Sequence, residues 1–374
     1  DRGLKLSDLD NIKNYLIYLS HRIKDNDLAK ETNIKFGKIF NELMKISHND
    51  NITGRTITKI ENTFLKNSII VYSGFINTKD LDDIHRLVKK EIIKKNHSDD
   101  LLPMRGQMRK KIMDFTSFLL KSSIQCVLIS LKKFENKKVN EHLIKLDKLK
   151  KLEYFTPLLL SICTNEGKIK IDKLEKITEE LEKFAFRLSF SRSQTNTGVQ
   201  DLNRLANDIY LKKRNFTDTK QKIKDLTSKN SREEFRRVCL NDDVYGKMDS
   251  DIIKYFLYEY EVFVYENVNS NGKIPKFEDF FNQKDISVEH ISPQTPQRKD
   301  ETLKSIDKIG NLVLLEKKLN STTSNSSFKI KKRTYQRSSF KSVQDIATKE
   351  DWNEKSIKAR ARELSRFANT KWKI

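Results

Sequence analysis

"ISVEHISPQ", Ile286 to Gln294, contains His290, the only histidine after His142 in a 374-residue chain that has six. Four alternating β-branched and polar residues read as a short strand, and Pro293 and Pro296 then force an extended loop. Downstream, "NLVLL" (311–315) reads as a second strand led by Gly310 at the turn, and "EKKLNSTTSN" (316–325) starts a helix. Strand, loop, strand and helix are thus arranged around one imidazole.

That order is the outline of a ββα-metal nuclease site. Hydrolysing a phosphodiester takes a base to activate water and a divalent cation to offset charge on the phosphate and leaving oxygen. His290 suits the first role because imidazole titrates near neutrality. Glu289 would point to the other face of a regular strand, so both residues serve one site only if the strand ends or twists there, as the following Ile-Ser-Pro implies. With no second histidine nearby, oxygens must hold the metal, which favours Mg²⁺ or Mn²⁺ over zinc. Glu289 and the amide oxygen of Asn320 are the candidate ligands, with Asn325 a weaker one. Asn311, between a glycine and an apolar strand, is suited to fix the loop that carries the base.

A basic segment follows: Lys329, Lys331, Lys332, Arg333, Arg337 and Lys341, interleaved with Phe328, Tyr335 and Phe340 and free of acids. Such a run is ordinarily a solvated face. Beside a nuclease site, Lys329, Lys331, Lys332, Arg333 and Arg337 are expected to grip phosphates.

The composition agrees with a polyanionic partner: 74 Lys+Arg stand against 52 Asp+Glu, a formal net charge of +22. Abundant Lys, Ile and Asn also point to an AT-rich genome, which raises lysine on any surface. Cys126, Cys163 and Cys239 are odd in number and lack CxxC spacing, so they are read as core thiols of a reducing cytoplasm, without a zinc site. No apolar run reaches the ~20 residues of a membrane span, and no signal-peptide pattern opens the chain.

The spacing of apolar residues predicts helices from Ser7 onward and over 27–47, 79–96, 105–134, 140–163, 169–190, 200–213 and 231–240. "NSIIVYSGF" (67–75) is the main strand candidate before residue 240, and it fits a buried helical turn equally well. "SFSRSQTNTG" (189–198) reads as a loop, and "DIIKYFLYEYEVFVYENV" (251–268) as a buried aromatic helix. Trp352 and Trp372 are expected to hold the last helix against the strand–strand–helix unit. The predicted fold class is mainly α: a helical domain over 1–245, then a ββα-metal nuclease domain with surrounding helices over 246–374.

"VEHISPQ" followed by "GN", "LLEKKLN" and "SN" resembles the HNH motif, and "EHISPQ", "IGNLVLL", Asn320, "NSSFKIKKRTY" and the final "LSRFANTKW" carry a finer resemblance. The spacing is close to that of the HNH domain of CRISPR effector nucleases, and the finer match is to the C-terminal domain of GmrSD-type restriction endonucleases. "DRGLKLSDLDNIKNYL" (1–16) is similar to the end of that family's N-terminal nucleotide-hydrolysing domain, whose "DGQQR" string does not occur here. The chain is therefore expected to be truncated at its start, with that upstream domain as a partner. The resemblance implies a DNA endonuclease that nicks or cuts with a divalent metal, in defence against phage and often directed at modified DNA. The last HNH position, a histidine in other branches, is Asn320 here. The alternatives are a DNA-binding or regulatory module with an inactive HNH core, and an RNA nuclease.

Overall fold

In the computed structural model the described residues are 6–48, 56–74, 88, 102–165, 171–191, 197–229, 232–267, 277–282, 285–295, 304–323 and 325–373. The expected helix over 79–96, apart from Val88, the turn "SNGKIP" (270–275) and Pro296 lie outside them. Contacts divide the chain into two units, one of residues 1–143, 152–178 and 198–222, the other of residues 144–151, 179–197 and 223–374. Residues 246–374 thus lie within the second unit, together with 144–151, 179–197 and 223–245.

Local signals set the helices of the first unit. Ser7 and Asp10 form the capping box that starts α1 (Asp8–Arg22), whose Leu9, Ile12, Leu16 and Leu19 are buried on one face. Asp25 accepts from Leu28 N at 3.0 Å and caps α2 (Asn26–Ser47). The strand candidate at 67–75 belongs instead, through Ser73, to α3 (Ile57–Ser73), which ends on Gly74 at φ 71°. Glycine is required there twice over: the backbone is left-handed, and a Cβ would lie 2.7 Å from Asn207 Oδ1. The predicted helix over 105–134 is α4 (Arg105–Leu131), packed on α2. By length and composition the helical stretch Leu102–Leu131 could cross a membrane, but 56% of its apolar window is buried in the protein. Thr116, Ser122 and Ser123 interrupt its apolar face.

The single helix expected over 140–163 is two, α5 (Lys137–Lys148) and α6 (Leu152–Thr164), because Lys150 adopts a positive φ of 56° that breaks the helical path. Further along are α7 (Ile171–Phe190), α8 (Val199–Tyr210), α9 (Phe216–Ser228) and α10 (Arg232–Asn241). Helix α8 packs on α3 and α6 within the first unit.

The second unit contains α11 (Ser250–Asn267), α12 (Phe277–Asn282), the antiparallel pair β1 (Ile286–His290) and β2 (Leu312–Glu316), then α13 (Lys317–Thr323), α14 (Phe328–Tyr335), α15 (Lys341–Ala347) and α16 (Glu354–Lys371). Its core is aromatic. Trp372 stacks on Phe186 with centroids 3.9 Å apart, and Phe190, Phe235, Tyr255 and Phe256 complete the cluster. Trp372 therefore anchors α16 to this cluster rather than to the strand pair; Arg187 Nη1 donates to its carbonyl at 3.2 Å. The aromatic helix α11 is buried as expected and carries Glu259 inward, held by Lys145 at 2.6 Å and Lys371 at 2.8 Å. The buried acid is thus not left uncompensated in the core.

The strand pair is seated on α16 through Gly310. A Cβ at Gly310 would lie 2.3 Å from the carbonyl oxygen of Ile357 and 3.0 Å from Ala361 Cβ, so only glycine lets the two backbones approach. Arg360, buried in α16, donates to Leu312 O at 2.7 Å and Gly310 O at 3.0 Å, fixing the turn that precedes β2. Gly310→Ala is expected to cost at least ~2 kcal/mol by overpacking, read as a lowered urea midpoint of the full chain.

Candidate active site

His290 closes β1 opposite Leu312, and beyond it the ladder ends in one further bond, Ile291 N to Asn311 O at 2.9 Å. The strand therefore ends immediately after the histidine, as the Ile-Ser-Pro sequence implied. The imidazole is 6% exposed. Its Nε2 lies 3.1 Å from Asp307 Oδ1, and Tyr245 meets the ring edge-on at 4.3 Å between centroids. An ionised carboxylate can only accept, so the proton in this contact rests on Nε2 and leaves Nδ1 as the basic nitrogen. Burial pushes the His290 pKa below its ordinary value, against the opposing pull of Asp307. The ring is consequently neutral, and able to take a proton, at neutral pH.

Asp307 is itself tied down. Its carboxylate accepts from Gln294 Nε2 at 3.0 Å, and its carbonyl accepts from Val244 N at 2.9 Å and Tyr245 N at 3.1 Å. Asp307 and Tyr245 have no signature in the sequence: "SIDK" and "DDVYGK" carry no motif, and tertiary contacts, the bridge between Asp243 and Lys308 among them, bring them to the histidine.

Asn311 is fully buried and makes four side-chain hydrogen bonds. Oδ1 accepts from Ser292 N at 2.9 Å and Trp352 Nε1 at 3.0 Å, while Nδ2 donates to Ser292 O at 3.0 Å and Ile306 O at 2.8 Å. One amide thereby joins the loop after His290, the segment before β2 and the tryptophan ahead of α16. Trp352 also packs on Phe328, 5.7 Å between centroids.

Glu289 and Asn320, the candidate metal ligands, are neighbours: the amide hydrogen-bonds the carboxylate and donates to Ser287 Oγ at 2.9 Å. Glu289 is 8% exposed, and burial raises its pKa in spite of the Lys331 ammonium and the amides beside it. Asn325 is exposed. Among the described residues no three His, Cys, Asp or Glu side chains gather into a metal-binding group. The donor set is thus one carboxylate and one amide, which fits a hard cation that keeps several waters and does not fit zinc. The carboxylate already has a cation on it, the ammonium of Lys331.

Lys331 does not belong to the solvent-facing phosphate grip expected from the sequence. It is 1% exposed, with Nζ on Glu289 Oε1 and 2.6 Å from the carbonyl oxygen of His290. The reason is helical phase: Phe328, Lys331 and Tyr335, three and four residues apart, form the inward stripe of α14, and all three are buried. That spacing was visible in the sequence and was masked by the unbroken run of basic residues. Lys329, Arg333 and Arg337 are exposed, and Lys332 is half-buried.

Residues 229–367 match the family model described as GmrSD restriction endonucleases, C-terminal domain. This part of the chain is a GmrSD-type restriction endonuclease C-terminal region. The match takes in α10, both strands and nearly all of α16, so the histidine, its partners and the helix that supports them fall inside one GmrSD-type region. No curated protein matches the chain.

Asn311→Ala would strand the Ser292 amide, the Trp352 indole and two carbonyls in the interior. It is expected to lower the unfolding free energy by at least ~4 kcal/mol, four groups at about 1–3 kcal/mol each, as measured by urea denaturation.

Proposed function

We propose that the GmrSD-type region is a metal-dependent DNA endonuclease of the HNH type, the cutting part of a restriction system directed against phage DNA, modified DNA included. The observation that carries this reading is the placing of an acid, an imidazole and an amide at the end of β1 and on the following helix: Glu289 hydrogen-bonded to Asn320, and His290, next in the strand, oriented by Asp307. In this reading 246–374 is the nuclease domain and 1–245 a helical domain, and an upstream nucleotide-hydrolysing domain supplies regulation.

His290 is the general base: with Nε2 committed to Asp307, Nδ1 takes the proton from the attacking water. Asn311 is a positioning residue, because its four side-chain hydrogen bonds go to the loop after His290, to Ile306 and to Trp352. Glu289 and Asn320 provide the oxygens for Mg²⁺ or Mn²⁺. When bound, that ion offsets the charge developing on the phosphate and the leaving oxygen. Lys329, Arg333 and Arg337, four residues apart along the exposed side of α14 and the turn after it, are the phosphate contacts, with Lys332 at their margin.

A second reading, a DNA-binding module without cleavage, draws on the Lys331–Glu289 contact, since a carboxylate with a permanent ammonium partner is withdrawn from a metal. Plasmid nicking with and without Mn²⁺ separates the two, and an RNA substrate run in parallel tests the nucleic-acid class.

His290→Ala is expected to lower the cleavage rate by ~10²–10⁴, the usual effect of losing a general base, with DNA binding retained. Cleavage at the wild-type rate would remove His290 from the role. On that inactive background, replacing Lys329, Arg333 and Arg337 by alanine should weaken binding to every DNA sequence alike. The slope of log K against log salt should fall by up to ~0.9 for each phosphate that is no longer neutralised; an unaltered slope would return these residues to the solvated surface.

A further inference from the structure

The candidate metal site has a cation of its own. Lys331 reaches it from the inward stripe of α14, and its ammonium touches both the Glu289 carboxylate and the His290 carbonyl. A carboxylate as enclosed as Glu289 requires a positive partner, and an ammonium as enclosed as Lys331, 1% exposed, requires a negative one. The two satisfy each other without any bound ion. Tyr335, one turn further on the same face, has a buried hydroxyl with no hydrogen-bond partner among the described residues.

We propose that Lys331 is the resident cation of this site: its ammonium occupies the Glu289 carboxylate until a divalent ion replaces it, so Lys331 sets the metal concentration the site requires. The inference rests on the metal-nuclease reading above and adds a determinant of metal affinity to it. Ammonium and divalent ion call on the same carboxylate and repel each other, so neither binds at full strength while the other is present. Affinity for the ion is therefore reduced by the free energy of displacing the lysine, and the ion in turn loosens Lys331 to the same extent. Residue type matters here. An ammonium on a flexible stem is a point charge that can withdraw, whereas a guanidinium would hold the carboxylate through two parallel bonds.

The test is Mn²⁺ binding by the full chain without DNA, followed through the electron paramagnetic resonance signal of free Mn²⁺, for wild type, Lys331→Met, Lys331→Arg and Glu289→Gln. Plasmid nicking is run in parallel, and circular dichroism checks folding. Lys331→Met should bind Mn²⁺ at least tenfold more tightly than wild type, Lys331→Arg more weakly, and Glu289→Gln should lose the site. If folded Lys331→Met binds no more tightly than wild type, the inference is overturned. Should that variant fail to fold, Lys331→Arg decides, and affinity equal to or above wild type overturns it. Wild-type cleavage together with Glu289-dependent Mn²⁺ binding that Lys331→Met does not tighten would remove the inference and leave the nuclease reading standing. Absence of both Glu289-dependent binding and cleavage would remove the reading, and the inference with it.

Discussion

The side-chain amide of Asn311 is the point at which three otherwise separate stretches of chain are made to agree. A two-stranded sheet of five-residue strands has too little area to hold a geometry by itself. Here the loop leaving β1, the segment entering β2 and the residue ahead of α16 all direct polar groups at one interior position, and all are satisfied by one amide. Asparagine is suited to the task because it offers donors and acceptors together without a charge that the interior would penalise. The imidazole of His290 inherits its position from this arrangement, since the loop so fixed begins one residue after it.

Around that neutral hub lie charges placed in opposed pairs. Glu289 faces Lys331, and Glu259 faces Lys145 and Lys371. Each is a buried acid approached by lysines from other helices, so an orphaned charge in the interior is avoided at both places. The two differ in their neighbours. Glu259 lies on the aromatic helix α11, whereas Glu289 is hydrogen-bonded to Asn320 and followed by a histidine, the residues of the proposed metal site and base.

Much of this was legible in the sequence, and the remainder failed for identifiable physical reasons. The strand around "SVEH", the strand "LVLL" and the helix carrying Asn320 were read from alternation and turn residues, which are local properties. Asn311 as the loop-fixing residue was read from its place between a glycine and an apolar run. Asp307 and Tyr245 were not, because their relation to His290 depends on a bridge between Asp243 and Lys308, some 65 residues apart, that no local pattern encodes. Lys331 was misread because a run of like charges hides helical phase, although apolar residues three before and four after it marked the inward face. The strand candidate at 67–75 illustrates the ambiguity of short apolar runs, since its β-branched residues lie on the end of a buried helix.

The contact of Gly310 with the backbone of α16 has a consequence for the order in which this region takes shape during its synthesis. Translation delivers the histidine and both strands well before Ile357, Arg360 and Trp372 leave the ribosome. Until they do, the turn at Gly310 has no surface to rest on, its carbonyls lack the Arg360 guanidinium, and the aromatic cluster lacks its indole. A nascent chain therefore carries His290 and both strands before it carries the helix on which they rest, and the strand pair gains its seat only once α16 has been made.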